Sequence, residues 1–231
     1  MNPPVALPFR PEAVIFDMDG LMLDSERALL GCLAQAGAEA GHELPEPFLL
    51  SLIGSSDAVT RQAIAGRVGV AAVDALLQRS YARYDEVVAA GVPHRPGIVE
   101  LLDTLVAHGV PRAVATSTRR PLALRKLEAA GLLRCFEQVA TSSDVAHPKP
   151  APDVYLLAAQ RLGVDPARCL ALEDSPTGVR AALAAGMTVI QVPDLLLPDE
   201  TVRALGHRIA ASLHEVRQWL LPWLPTRAAA L

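Results

Sequence analysis

Short apolar runs recur along the chain, each too brief for a helix and each bordered by turn residues. The first is Ala13-Val-Ile-Phe16, set between Pro11 and an Asp-x-Asp-Gly turn. Others are Arg112-Ala-Val-Ala115, Gln138-Val-Ala140, Cys169-Leu-Ala-Leu172 and Thr188-Val-Ile-Gln-Val192. Between them, residues 97–108, 121–130, 152–162 and 177–185 carry the apolar spacing of amphipathic helices. Gly109, Gly131, Gly163 and Gly186 follow as C-terminal stops. Strands alternating with helices predict an α/β domain whose parallel sheet is covered on both faces.

That alternation breaks between the first run and the second. Residues 26–40, 57–68 and 71–90 read as helices separated by Gly41, the segment Pro45 to Pro47, and Gly54, with no convincing strand among them. About 70 residues is far too long for an ordinary connection. The pattern predicts an all-helical domain, residues 25–94, inserted into an α/β domain made of 1–24 and 95–231. Near the end, Val216-Arg-Gln-Trp-Leu-Leu-Pro-Trp223 is apolar enough to dock on the core, with a dimer patch as the alternative, and the alanines at 228–230 are expected to fray.

Composition narrows the function classes. The chain has 231 residues, half of them apolar, and 25 acids against 21 bases give a net charge of −4 with no block of like charge. Neither nucleic acid nor an anionic membrane has an electrostatic reason to bind it. Cys32, Cys135 and Cys169 are odd in number and widely spaced, so they are expected as buried reduced thiols rather than a disulfide framework or metal pair. The opening MNPPVALPFRPEA lacks the basic and apolar regions of a signal peptide, and a cytoplasmic protein is expected. A monomer is the default expectation.

In an open parallel sheet, ligands bind beyond the carboxyl ends of the strands, so polar residues there are the place to look for chemistry. Four clusters stand at or near such ends: Asp17-Met-Asp19-Gly20, Thr116-Ser117-Thr118, His147-Pro-Lys149-Pro-Ala-Pro-Asp153 and Glu173-Asp174-Ser175. Asp17 and Asp19 are two apart, so a continued strand would point both to one face, where the charges repel unless a cation joins them. Glu173 and Asp174 would bring two more carboxylates to the same edge. Four converging acids without His or Cys call for a hard divalent ion, and Mg²⁺ suits them better than Zn²⁺. Mg²⁺ on few carboxylates commonly shares its coordination with phosphate. The Thr/Ser cluster offers donors to a phosphoryl group's oxygens and Lys149 a point charge. Such parts suit phosphoryl transfer: one carboxylate attacks phosphorus, and its neighbour protonates the leaving alcohol and then activates water.

Taken alone, each cluster has an ordinary structural explanation as turn, helix cap or solvated lysine. The four in order, Asp17-Met-Asp-Gly-Leu-Met-Leu-Asp-Ser-Glu26, Thr116-Ser117, Lys149-Pro-Ala-Pro-Asp153 and Glu173-Asp174-Ser175, resemble the haloacid dehalogenase superfamily. Within it the chain is similar to the phosphatase and β-phosphoglucomutase-like branch, over nearly its whole length. The resemblance implies a Rossmannoid three-layer core with strand order 5-4-1-2-3 and a helical cap that closes over a small phosphate ester. It implies Asp17 as nucleophile, Asp19 as general acid and base, Thr116 as phosphate ligand and Lys149 as the bridging cation. Asp174, with Glu173 beside it, would hold Mg²⁺ together with the Asp17 carboxylate and the Asp19 backbone carbonyl. The second carboxylate, Asp19, argues against dehalogenation. Leu29 stands where mutases of this branch commonly carry a histidine, which favours phosphatase over sugar phosphomutase.

Substrate selection is expected from the cap, at residues 54–57, Arg61, Arg79, Arg83 and Tyr84; Ser117 of the Thr/Ser cluster is an expected substrate-binding residue, and Arg119, directly after that cluster, a candidate for a substrate's distal anionic group. His147 is expected to shape the loop before Lys149. A non-catalytic relative of the same fold is the remaining alternative. A P-loop kinase and an α/β-hydrolase lack their motifs, GxxxxGK[ST] and GxSxG.

Overall fold

The computed structural model describes residues 10–53 and 57–224. The alanine tail and residues 54–56 of the cap loop therefore lie outside the described residues. The chain divides at Leu23/Asp24 and Pro93/His94 into an α/β unit and a helical unit.

In the α/β unit, strands β1 (Ala13–Phe16), β2 (Arg112–Thr116), β3 (Gln138–Thr141), β4 (Cys169–Glu173), β5 (Thr188–Gln191) and β6 (Arg208–Ile209) form one sheet. Its order is β3-β2-β1-β4-β5-β6, parallel throughout. The five expected strands keep the expected order, and the sheet is extended by β6. Two residues at the sheet's edge carry no apolar run, so this strand leaves no trace in the pattern. Helices α5 (Ile98–Ala107), α6 (Arg120–Ala129), α7 (Asp153–Leu162), α8 (Pro176–Ala184), α9 (Glu200–Arg203) and α10 (Leu213–Leu220) complete the unit.

Both sheet faces are buried, as all-parallel sheets require. On one face Ala13, Ile15, Ala113, Ala115, Ala140 and Ala171 meet Tyr155 and Ala158 of α7 and Val179 and Ala182 of α8. The small side chains let both helices approach closely, and Tyr155 is the large one that fills the space. The alternate residues Val14, Phe16, Val114, Leu170, Leu172 and Ile190 fill the other face, where Phe16 meets Phe136 edge to face at 5.6 Å. The apolar end of the chain docks as expected, for α10 buries Leu213, Val216, Trp219 and Leu220 and packs against α5. Arg120 clamps β3 from α6: its Nε and Nη2 donate to Asp144 at 3.0 and 2.8 Å, and this pairing holds the Asp144 carboxyl well below its usual range.

The helical unit consists of α1 (Ser25–Glu39), α2 (Glu46–Leu50), α3 (Asp57–Val68) and α4 (Val70–Ala90). Its core is Leu33, Ala36, Leu44, Leu49, Leu52, Ile64, Val68, Val73 and Leu76. Pro45 to Pro47, read as a break, instead opens α2: Pro47 lies in the first turn, where a missing N–H costs nothing. Cys32 and Cys169 are buried free thiols, but Cys135 is only partly buried, because it lies on a short 3₁₀ turn rather than in an apolar strand. No helix among the described residues is long and apolar enough to cross a membrane.

Candidate active site

The order 3-2-1-4 sets the carboxyl ends of β2, β1 and β4 side by side, at the point where the chain reverses its direction of sheet growth. Thr116 ends β2, Glu173 ends β4, and the Asp17 amide extends the ladder by one bond to Leu172 O at 2.9 Å. Asp17, Thr116, Glu173 and Asp174 are all buried.

Lys149 reaches this edge from the loop before α7. Its ammonium donates to Asp17 Oδ1 at 2.6 Å, to Glu173 Oε1 at 2.7 Å and to the Ala115 carbonyl at 3.0 Å. The same nitrogen lies 4.8 Å from the centre of the Tyr155 ring. His147 Nδ1 and Asp153 Oδ1 meet at 2.9 Å and so clasp the two ends of the lysine's loop, which is the shaping role expected of His147.

Glu173 is fully engaged by the protein. Oε1 accepts from Lys149 and from the Tyr155 hydroxyl at 2.9 Å, and Oε2 accepts from the Asp174 amide, the Ser175 amide and the Ser175 hydroxyl, each at 3.0 Å. A carboxylate has about four lone-pair directions, and these donors use them. Ser175 also caps α8, accepting from the Gly178 amide at 3.1 Å, with Pro176 as the first helical residue.

One ammonium is therefore shared by two buried carboxylates, and the two respond differently. Burial pushes the Asp17 carboxyl up to about 8, against the pull of Lys149 and with the push of Glu173. Burial works the same way on Glu173, but Lys149 and the hydrogen bonds around it win and hold its carboxyl below the ordinary range. Burial likewise opposes the Lys149 charge, yet Asp17 and Glu173 together raise the pKa of its ammonium above the usual value. Glu173 and Lys149 are thus the permanent ion pair, and Asp17 is the carboxyl whose ionised form lacks a full partner.

Oxygen atoms of Asp17, Glu173 and Asp174 lie within 4.8 Å of one another, a donor set able to hold a metal ion. Asp19 is not among them, which corrects the expectation that all four acids converge. The strand ends at Phe16, and the chain turns through Met18 and Gly20, the latter at φ +84°. Spacing of two then no longer means one face. The Asp19 carboxylate instead accepts from the Thr118 hydroxyl at 2.6 Å and from the Lys126 ammonium at 2.7 Å.

Two glycines are required by this packing. A Cβ on Gly20 would meet Asp174 Oδ2 at 2.2 Å and would strain a left-handed backbone, and one on Gly178 would fall inside the Glu173 carboxylate. Gly178→Ala is therefore expected to lower unfolding free energy by about 1–3 kcal/mol, the usual range for overpacking. A denaturant midpoint equal to that of the unsubstituted chain would show that the carboxylate moves aside freely.

The remaining expected residues are dispersed. Ser117 and Arg119 are exposed at the start of α6. In the helical unit Arg61 pairs with Asp74 and Arg83 with Glu39, Arg79 is exposed, and Tyr84 is buried. Sequence reasoning missed Tyr155 and Lys126. Tyr155 was hidden in an ordinary amphipathic pattern. Lys126 had a usable signal, since it stands three residues after Ala123 and next to Leu127 on the inward stripe of α6.

The family model for haloacid dehalogenase-like hydrolases matches residues 11–186. Protein CbbY of Rhodobacter capsulatus is 34% identical, over 93% of this chain and 99% of its own. Hexitol phosphatase A of Escherichia coli is 33% identical, over 90% and 93%. Among solved structures, a HAD family hydrolase from Deinococcus radiodurans, with phosphate and sodium bound, superposes with a TM-score of 0.78 at 32% identity, covering 94% of this chain and 96% of that one. The chain belongs to the haloacid dehalogenase-like hydrolases, among that family's phosphatases.

Proposed function

We propose that this protein is a Mg²⁺-dependent phosphomonoesterase that acts on a small phosphorylated metabolite of the sugar phosphate or phosphoglycolate class, through an aspartyl-phosphate on Asp17. The observation that carries this reading is the buried triad of Asp17, Lys149 and Glu173 beside Asp174. A carboxylate raised by burial and short of countercharge is suited to receive a cation and an electrophilic phosphorus.

The donor set fits Mg²⁺: it is all oxygen, and with Glu173 engaged by protein donors it leaves the Asp17 and Asp174 carboxylates, to which the family resemblance would add the Asp19 backbone carbonyl. When bound, the ion would supply Lewis-acid neutralisation of the phosphoryl oxygens. The steps belong to the chain. The Asp17 carboxylate attacks phosphorus in line, forming the acyl phosphate as the ester P–O bond breaks. Asp19 gives its proton to the departing alkoxide, then takes one from a water that attacks the phosphoenzyme and releases inorganic phosphate. Lys149 balances charge on Asp17 and on the group in transfer, while Thr116 and Ser117 offer hydroxyl and backbone donors at the end of β2. Glu173 acts through Lys149. Arg119 and Arg61 are the proposed contacts for the rest of the substrate; Arg61 would have to leave Asp74 to serve.

The test is phosphate release from a panel of sugar and hexitol phosphates, phosphoglycolate, nucleoside monophosphates and an aryl phosphate, with Mg²⁺ and with EDTA. Release that needs Mg²⁺ and ranks the sugar phosphates first is expected. Silence across the panel with Mg²⁺ present, together with interconversion of a sugar phosphate isomer, would replace this reading with a mutase. Silence in both assays would leave a non-catalytic relative.

A further inference from the structure

Lys126 is a lysine where helix packing asks for an apolar residue. It sits on the inward stripe of α6 with Ala123 and Leu127 and is only 4% exposed. Burying an ammonium costs several kcal/mol before any partner is counted, and well-packed apolar residues commonly replace buried ion pairs at no loss of stability. Stability alone therefore gives no reason for this charge. What the charge does is reach a residue 107 positions earlier in the chain: its Nζ lies 2.7 Å from Asp19 Oδ1. The other oxygen, Oδ2, accepts from the Thr118 hydroxyl at 2.6 Å. Asp19 lies beyond the last ladder bond of β1, in an isolated bridge with Leu23 that fixes its backbone, and the direction of its carboxylate is left to the partners of the side chain.

We propose that Lys126, with Thr118, is a positioning residue for Asp19. The ammonium and the hydroxyl grip one oxygen each and hold the carboxylate to a single orientation. This rests on the proton-transfer role given to Asp19 above. Lys126 is given no contact with a reacting atom and acts through Asp19. A proton donor displaced by an ångström can lose up to about a hundredfold in rate. The loss belongs in turnover rather than in substrate binding, because no binding group is removed.

The test is a double-variant cycle on a sugar phosphate, with kcat and KM measured for the unsubstituted enzyme, Lys126→Met, Asp19→Ala and the pair combined. Lys126→Met is expected to lower kcat by about tenfold or more with KM within about twofold. Asp19 is partly solvent-exposed, at 26% of its side chain, so removing the ammonium does not strand a buried charge. In the Asp19→Ala background the same substitution is expected to have no further effect. Lys126→Gln, whose amide keeps a donor of shorter reach, is expected to recover part of the rate. The proposal is overturned if Lys126→Met turns over at the original rate, or if it slows the Asp19→Ala enzyme by the same factor as the original, which is the mark of a purely structural role. Full activity in Asp19→Ala alone would instead overturn the proton-transfer role on which the proposal rests.

Discussion

Asp17→Asn is expected to reduce turnover by about ten-thousand-fold or more, the scale on which removing a covalent nucleophile acts, and to leave a fold no less stable than before. The two halves of this expectation have one cause. Asp17 is buried and shares the Lys149 ammonium with Glu173, and burial pushes its carboxyl up to about 8. A group whose folded pKa is raised contributes stability below its unfolded value, near 3.8, and loses that contribution as pH rises through the folded one. The neutral amide escapes this loss. In EDTA the melting temperature of Asp17→Asn should therefore match the unsubstituted chain near pH 4 and exceed it increasingly toward pH 8. Melts with and without EDTA, beside phosphate release, measure both halves. Retained turnover would remove Asp17 from the nucleophile's place, and a destabilised variant at pH 8 would show that the ionised carboxylate is an asset to the fold.

Lys149→Met is expected to damage both stability and activity. It leaves Asp17 and Glu173 facing one another without a buried cation, and breaking a buried pair from one side costs about 3–5 kcal/mol. Turnover should fall by about a thousandfold, as when a preorganised charge-stabilising donor is lost. A second substitution separates the two effects. Lys149→Met with Glu173→Gln removes the surplus negative charge, so it should recover most of the lost unfolding free energy in EDTA while remaining inactive. Urea denaturation of the single and paired variants, beside phosphate release, tests this. Equal stability for the single variant and the unsubstituted chain would mean that the ammonium is not what compensates these carboxylates.

Much of this site is legible in the amino-acid sequence. Asp17, Thr116 and Glu173 can be placed at one sheet edge because each ends a short apolar run whose length and borders define a strand, and a parallel sheet puts strand ends of like polarity together. Lys149 is legible only in company with them. The strand order beyond the fifth strand is not, since β6 is two half-buried residues paired to β5. Pro45 to Pro47 misleads for a different reason: proline ends a helix but also begins one, and spacing does not say which.

By itself the sequence determined the alternation of strands and helices, the helical insertion between β1 and β2, and which polar residues stand at the strands' carboxyl ends. These follow from local periodicity and turn chemistry, which are properties of neighbours in the chain. The tertiary structure alone decided how those polar residues pair. Asp19 leaves the acidic cluster because the chain turns at Gly20, Glu173 is consumed by five protein donors, and Tyr155 and Lys126 reach in from α7 and α6. A lysine reads alike in sequence whether it is solvated or buried. Only the packing of α6 against the sheet, with the direction of each side chain over the last few ångströms, makes Lys126 the counterion of a carboxylate 107 residues away.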